Sequence, residues 1–184
     1  MTAGPDKPHT ERVKQFTATL PRVSLAEAPT FARRGPRPRI PEGLPHVQMD
    51  QWPPAGIAIR LLASASGLPY VEIRQSRMAS DATSALSIVD RCAGGPAEAF
   101  IDACEFCHVL PPPEGTIHLT LPSAEKAIAI EGGWAEEHPV SRAGALSPLL
   151  VTLYAPRDED ELAMAVRFIE SSWRFALWGR GGTE

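Results

Sequence analysis

Asparagine is missing from the 184 residues, lysine occurs three times against fifteen arginines, and cysteine only three times. The arginine excess and the missing asparagine read as coding bias rather than mechanism. No apolar run approaches the roughly 18 residues of a membrane span. The opening stretch MTAGPDKPHTERVKQ has no apolar h-region, so no secretory signal is expected and a cytoplasmic setting is the default. Neither sign of charge dominates: 18 basic residues face 22 acidic ones, and the net charge of −4 favours no nucleic-acid partner. The chain has no G-x-S-x-G, no Walker loop, no H-E-x-x-H and no dinucleotide fingerprint. There is no internal repeat either.

What is present is ordinary globular composition, 43% apolar and 22% charged. A chain of this length is one domain by the usual prior and can bury roughly 70% of its unfolded surface without a disulfide or metal staple. Cys104 and Cys107 form a C-x-x-C, which can mean redox chemistry or half a zinc site. The context ACEFCHVL reads as strand and no second pair completes a zinc ribbon, so ordinary buried thiols are expected.

Proline organises the N-terminal quarter. Residues 1–45 hold eight of the 19 prolines and the basic stretch FARRGPRPRIP. Such a segment reads as an extended arm, solvated or strapped across the domain, with phosphate binding as the alternative. Residues 46–180 form the expected domain. A helix begins near Pro53-Pro54 and stops at Gly67; strands follow at 70–76 and 85–90. Residues 91–97 form a turn, and 99–110 one strand or two broken ones. The turn PPPEG leads into TIHLTL at 116–121, and a short helix runs over 123–131. Residues 134–148 read as loop, and LLVTLYA at 149–155 as a central strand. Asp158 and Glu161 suit a capping box for a helix whose stripe runs through Leu162, Ala165, Val166, Ile169, Trp173 and Ala176. The order predicts an α+β domain, mainly antiparallel sheet with packed helices including a long C-terminal one.

Histidine placement carries the chemistry. A hairpin centred on Pro113 pairs residues whose numbers sum to 226, which sets His108 opposite His118. Phe106, Leu110 and Thr120 share their face, while Cys107, Val109, Ile117, Leu119 and Leu121 form the apolar face. On a regular strand Glu105 falls on that apolar face, where it would partner an arginine. Two adjacent imidazoles serve metal ligation, acid–base catalysis or a neutral structural pair.

The stretches EFCHVLPPPEGTIHLTLP, GGWAEEHPVSR and LYAPRDEDE resemble, in that order, the luciferase domain of bioluminescent fungi and its bacterial relatives. The matching positions are Glu105, His108, His118, Leu119, Gly133, Trp134, His138, Pro139, Leu153, Tyr154, Ala155, Pro156 and Arg157. HVQMDQWPP at 46–54 resembles the bacterial relatives. The resemblance implies oxidation of 3-hydroxyhispidin or a related hydroxylated pyrone by molecular oxygen, without flavin, nicotinamide or ATP. Such chemistry calls for a base, cationic groups and a dry pocket. It makes His108, His118, His138, Tyr154 and Arg157 the catalytic candidates. Trp134, Phe106, Thr120 and Glu105 are the candidates for substrate contact. No metal and no cofactor beyond oxygen as co-substrate are expected, and a small molecule rather than nucleic acid or membrane is the expected partner. A metal site built on the three histidines and a non-catalytic small-molecule binder are the competing readings. The fungal proteins carry an N-terminal membrane anchor with no counterpart in 1–45, and PPPEG replaces a more polar turn.

Overall fold

Alternation between apolar and polar residues in four of the strands gives the sheet one face fit for helices and one that is not. The computed structural model describes residues 32–80 and 82–178, together with Leu25. Helix α1 (Ile57–Ser66) leads to strands β1 (Val71–Gln75), β2 (Ser84–Ile88), β3 (Glu105–Val109) and β4 (Ile117–Thr120). Then come α2 (Ser123–Glu131), β5 (Ala135–Glu137), the short α3 (Pro139–Arg142), β6 (Leu150–Leu153) and α4 (Glu159–Trp178). The six strands form one sheet in the order β1-β2-β3-β4-β6-β5, antiparallel throughout. The predicted α+β class with a long C-terminal helix is what the chain forms.

Helices α1, α2 and α4 and the apolar strand positions make one core that includes Leu61, Ile117, Leu119, Val151, Leu153 and Phe168. The α4 cap forms as its sequence suggests. Asp158 Oδ1 accepts from the Glu161 amide at 2.9 Å, and the Glu161 carboxylate accepts from the Arg157 amide at 2.9 Å. The first part of the expected loop at 134–148 is in fact structured. Ala135–Glu137 pairs with β6 as an edge strand, and Pro139–Arg142 turns as a short helix capped by His138. Three residues are too few to show alternation, so β5 was invisible in the sequence. Gly94 and Gly95, which read as turn glycines, lie against the end of α4. A Cβ at Gly95 would stand 2.3 Å from the Phe175 carbonyl oxygen, so only glycine fits there.

Helices α1, α2 and α4 lie on one face of the sheet, and among the described residues none of them covers the other. Residues 32–56 have no regular structure up to α1: they start beside the end of α2 and the start of α4 and continue as a strap over that other face, although 32–45 read as arm; the rest of the expected arm lies outside the described residues. Gln48, 1% exposed, anchors the strap. Its amide donates to Thr116 Oγ1 at 3.0 Å, its side-chain oxygen accepts from the Ala155 amide at 3.0 Å, and its side-chain nitrogen donates to the Asp50 and Gln51 carbonyls. The arginines of the basic stretch find partners within the chain. Arg34 meets Asp158 and Asp160, Arg37 donates to the Ile130 carbonyl, and Arg39 meets Asp50. Gly115, at φ +60°, lets Pro53 close over the hairpin; a Cβ there would lie 2.7 Å from Pro53 Cγ.

Candidate active site

Strand pairing delivers the expected histidine pair. His108 faces His118 across β3 and β4, with Cys107 opposite Leu119 and Val109 opposite Ile117. His108 Nε2 and His118 Nδ1 are 2.9 Å apart. Both rings are buried beneath the strap, at 3% and 7% exposure.

Glu105 corrects the regular-strand reading. Leu86 pairs with Cys107 while Ser87, one residue on, pairs with Glu105, so Phe106 is an extra residue on β3. A β-bulge of this kind turns everything beyond it to the other face. Glu105 therefore joins His108 instead of facing the core: its Oε1 lies 2.6 Å from His108 Nδ1 and accepts from Ser76 Oγ at 2.9 Å. Phe106 takes the opposite course. Expected beside the imidazoles, it packs into the apolar core, and its carbonyl, displaced from the ladder, accepts from Ser172 Oγ of α4 at 3.2 Å.

Hydrogen-bond polarity fixes the protons along this line. His118 Nε2 lies 2.9 Å from the His46 carbonyl, which can only accept, so Nε2 carries a proton. Burial, with His108 and His138 adding to it, holds the His118 imidazole well below the ordinary histidine range. His118 is thus neutral, its Nδ1 is an acceptor, and His108 Nε2 must donate to it. A second proton then lies between His108 Nδ1 and Glu105. The Glu105–His108 pair holds one proton more than a carboxylate and a neutral imidazole, and its net charge is zero.

The cluster extends beyond the predicted pair. The His138 ring packs edge-on to His118 with centroids 4.6 Å apart, and to His46 at 5.1 Å. His138 Nδ1 accepts from the Val140 amide at 3.3 Å, which leaves the ring proton on Nε2. Its pKa is pushed down to about 4 by burial, then by His46 and His108. His46 donates from Nδ1 to the Pro41 carbonyl at 2.9 Å. Its Nε2 stands 2.9 Å from Glu136 Oε1. Tyr154 donates to Glu136 Oε2 at 2.9 Å. Burial works to raise the Glu136 carboxyl, but His46 and Tyr154 outweigh it and hold the group below its usual range. Burial and the bond to Glu136 raise the Tyr154 phenol.

His46 and Glu136 are the residues that sequence reasoning missed. His46 lies 72 residues from His118 along the chain, and its one signal was the family-like segment 46–54. Of the other predicted residues, Thr120 sits on the histidine face and donates to the Ala99 carbonyl at 2.7 Å. Arg157 does not reach the imidazoles; it binds Glu161, Gln51 at 3.0 Å and the Arg34 carbonyl, tying the strap to α4. Trp134, expected to wall the histidine pocket, belongs to the core on the α4 side, 6.3 Å from Phe168. Among the described residues no group of three His, Cys, Asp or Glu side chains is placed to hold a metal ion. The C-x-x-C is split: Cys107 is buried in the core and Cys104 donates to Asp90 Oδ1 at 3.3 Å.

A six-stranded antiparallel domain with a buried carboxylate–imidazole–imidazole line on the face away from α1, α2 and α4 is the class that fold and site define. Residues 103–172 match the family model described as Luciferase domain, so this segment is similar to that family. It is 26% identical over 167 residues to a luciferase of Armillaria ostoyae, covering 82% of this chain and 62% of that protein. A luciferase of Armillaria gallica is 26% identical over 156 residues, covering 76% of this chain and 58% of the relative. One from Armillaria mellea is 33% identical over 70 residues, or 37% of this chain and 26% of the relative. The chain therefore spans less than two thirds of the length of these relatives. No solved structure matches it. Among the described residues no helix is long and apolar enough to cross a membrane.

Proposed function

We propose that the chain is a cofactor-independent oxygenase that acts with O2 on a hydroxylated pyrone or polyphenol-like small molecule, with the histidine line as its acid–base device. The observation that carries this reading is the unbroken Glu105–His108–His118 line. Release of its one shared proton to bulk water reverses its polarity. His108 then donates from Nδ1 to Glu105 and His118 donates from Nδ1 to His108 Nε2, which leaves His118 Nε2 bare and basic. A phenolic or enolic hydroxyl taking the place of the His46 carbonyl would give its proton to that nitrogen. The resulting electron-rich anion is the form that reacts with O2. His138 Nε2–H supplies a donor for an oxygen atom that gains charge. The thiols of Cys104 and Cys107 are free, which suits a reducing compartment and a cytoplasmic setting.

Oxygen uptake with 3-hydroxyhispidin and a panel of catechols and hydroxypyrones tests the reading. The wild-type chain is expected to consume O2 with at least one of them. His118→Ala and His108→Ala should lower that rate about 10²–10⁴-fold, the usual worth of a positioned acid–base group. Uptake that is absent throughout, or that survives both substitutions, contradicts it.

A further inference from the structure

A cavity of about 650 Å³ opens on the side of the sheet away from the histidines, between the start of the strap and α4. Its walls are Ala32, Trp134, Ala163 and Met164, with Arg34, Asp160, Glu161 and Arg167 among them. The volume falls within the range of small-molecule sites, about 300–1,000 Å³. The charges are not all matched. Asp160 has Arg34 at 3.4 Å, and Glu161 has Arg157 and, at 3.5 Å, Arg33. Arg167 differs: one terminal nitrogen donates to Met164 Sδ at 3.6 Å, and the other is buried without a hydrogen-bond partner. A guanidinium with a buried donor unmet is costly beside an apolar wall and is relieved by an anion.

We propose that this cavity binds a small planar aromatic molecule bearing a carboxylate or similar anionic group, its ring against Trp134 and Met164 and its charge on Arg167. The site is separate from the histidine line and does not rest on the oxygenase reading. Any link between the two would run around the sheet edge. Glu161 contacts Arg33, whose guanidinium carbon lies 5.4 Å from the Tyr154 ring centroid, and Tyr154 binds Glu136.

Calorimetric titration of the full chain with 6-hydroxy-2-naphthoate and its methyl ester tests the proposal. The acid is expected to bind about tenfold or more tightly than the ester, the scale of one charge-assisted hydrogen bond. Arg167→Ala should leave acid and ester binding alike. Ala163→Phe, a change at an exposed position on the cavity wall, should fill the space and abolish binding of both. No binding of the acid, a preference that survives Arg167→Ala, or binding unaffected by Ala163→Phe would each overturn the proposal.

Discussion

The two faces of the sheet are buried to similar extents and by opposite means. On the helix face, Ile117, Leu119, Val151 and Leu153 belong to one apolar core with Phe168, Ile169 and Trp173 of α4, and most of these contacts need no particular partner. On the strap face, His108 and His118 lie buried under a segment with no regular structure and have two specific partners each, and the buried Thr120 has one. Apolar burial is proportional to area and tolerates rearrangement; polar burial must be satisfied bond by bond. The helix face therefore holds the fold, and the strap face holds a defined protonation state.

Breaking the helix face should give the largest effect on stability. Phe168→Ala removes a fully buried ring from the centre of α4 and should cost about 3–5 kcal/mol, read as a lower denaturant midpoint with unchanged slope. The strap face breaks more gently. Gln48→Leu leaves the Thr116 contact of the backbone in place but strands the Ala155 amide, so about 1–3 kcal/mol is expected from the same measurement. Ser172→Ala, which joins the two faces at the bulge, strands the Phe106 carbonyl and should cost about 1–2 kcal/mol.

Acid sharpens the contrast, because two histidines of the strap face take up protons at lowered pH when folded. Unfolded, a histidine takes up its proton near 6.5; folded, His138 does so at about 4 and His118 well below its usual value. Between those values the unfolded chain binds more protons, so stability is full above about pH 6.5 and falls as the pH drops toward 4. A melting-temperature series over that window should slope downward on acidification. The slope should flatten in His138→Gln.

Much of this division was legible in the sequence. The alternation in TIHLTL and LLVTLYA placed His118 and Thr152 on one face, and the hairpin arithmetic placed His108 opposite His118. Glu105 was misplaced because a bulge leaves no mark on alternation: Phe106 is as apolar as Cys107, so nothing shows which is the extra residue. His46 and Glu136 were invisible for another reason. Each reaches the cluster through long-range packing of a strap and a three-residue edge strand, elements too short or irregular to have a period. Trp134 shows the reverse error, in which an aromatic beside a histidine-bearing loop is drawn to the site by proximity in sequence while the bend before β5 delivers it to the core.

The protonation state of the histidine line is the claim on which the functional reading stands, and side-chain 15N NMR of histidine-labelled protein measures it directly. The account predicts that His118 is neutral with its proton on Nε2 and does not titrate between about pH 5 and 8, the range in which an ordinary imidazole changes charge. It also predicts that His108 Nε2 carries a proton shared toward His118. A His118 resonance titrating near the ordinary histidine value, or a neutral His118 protonated on Nδ1 at pH 7, would contradict it.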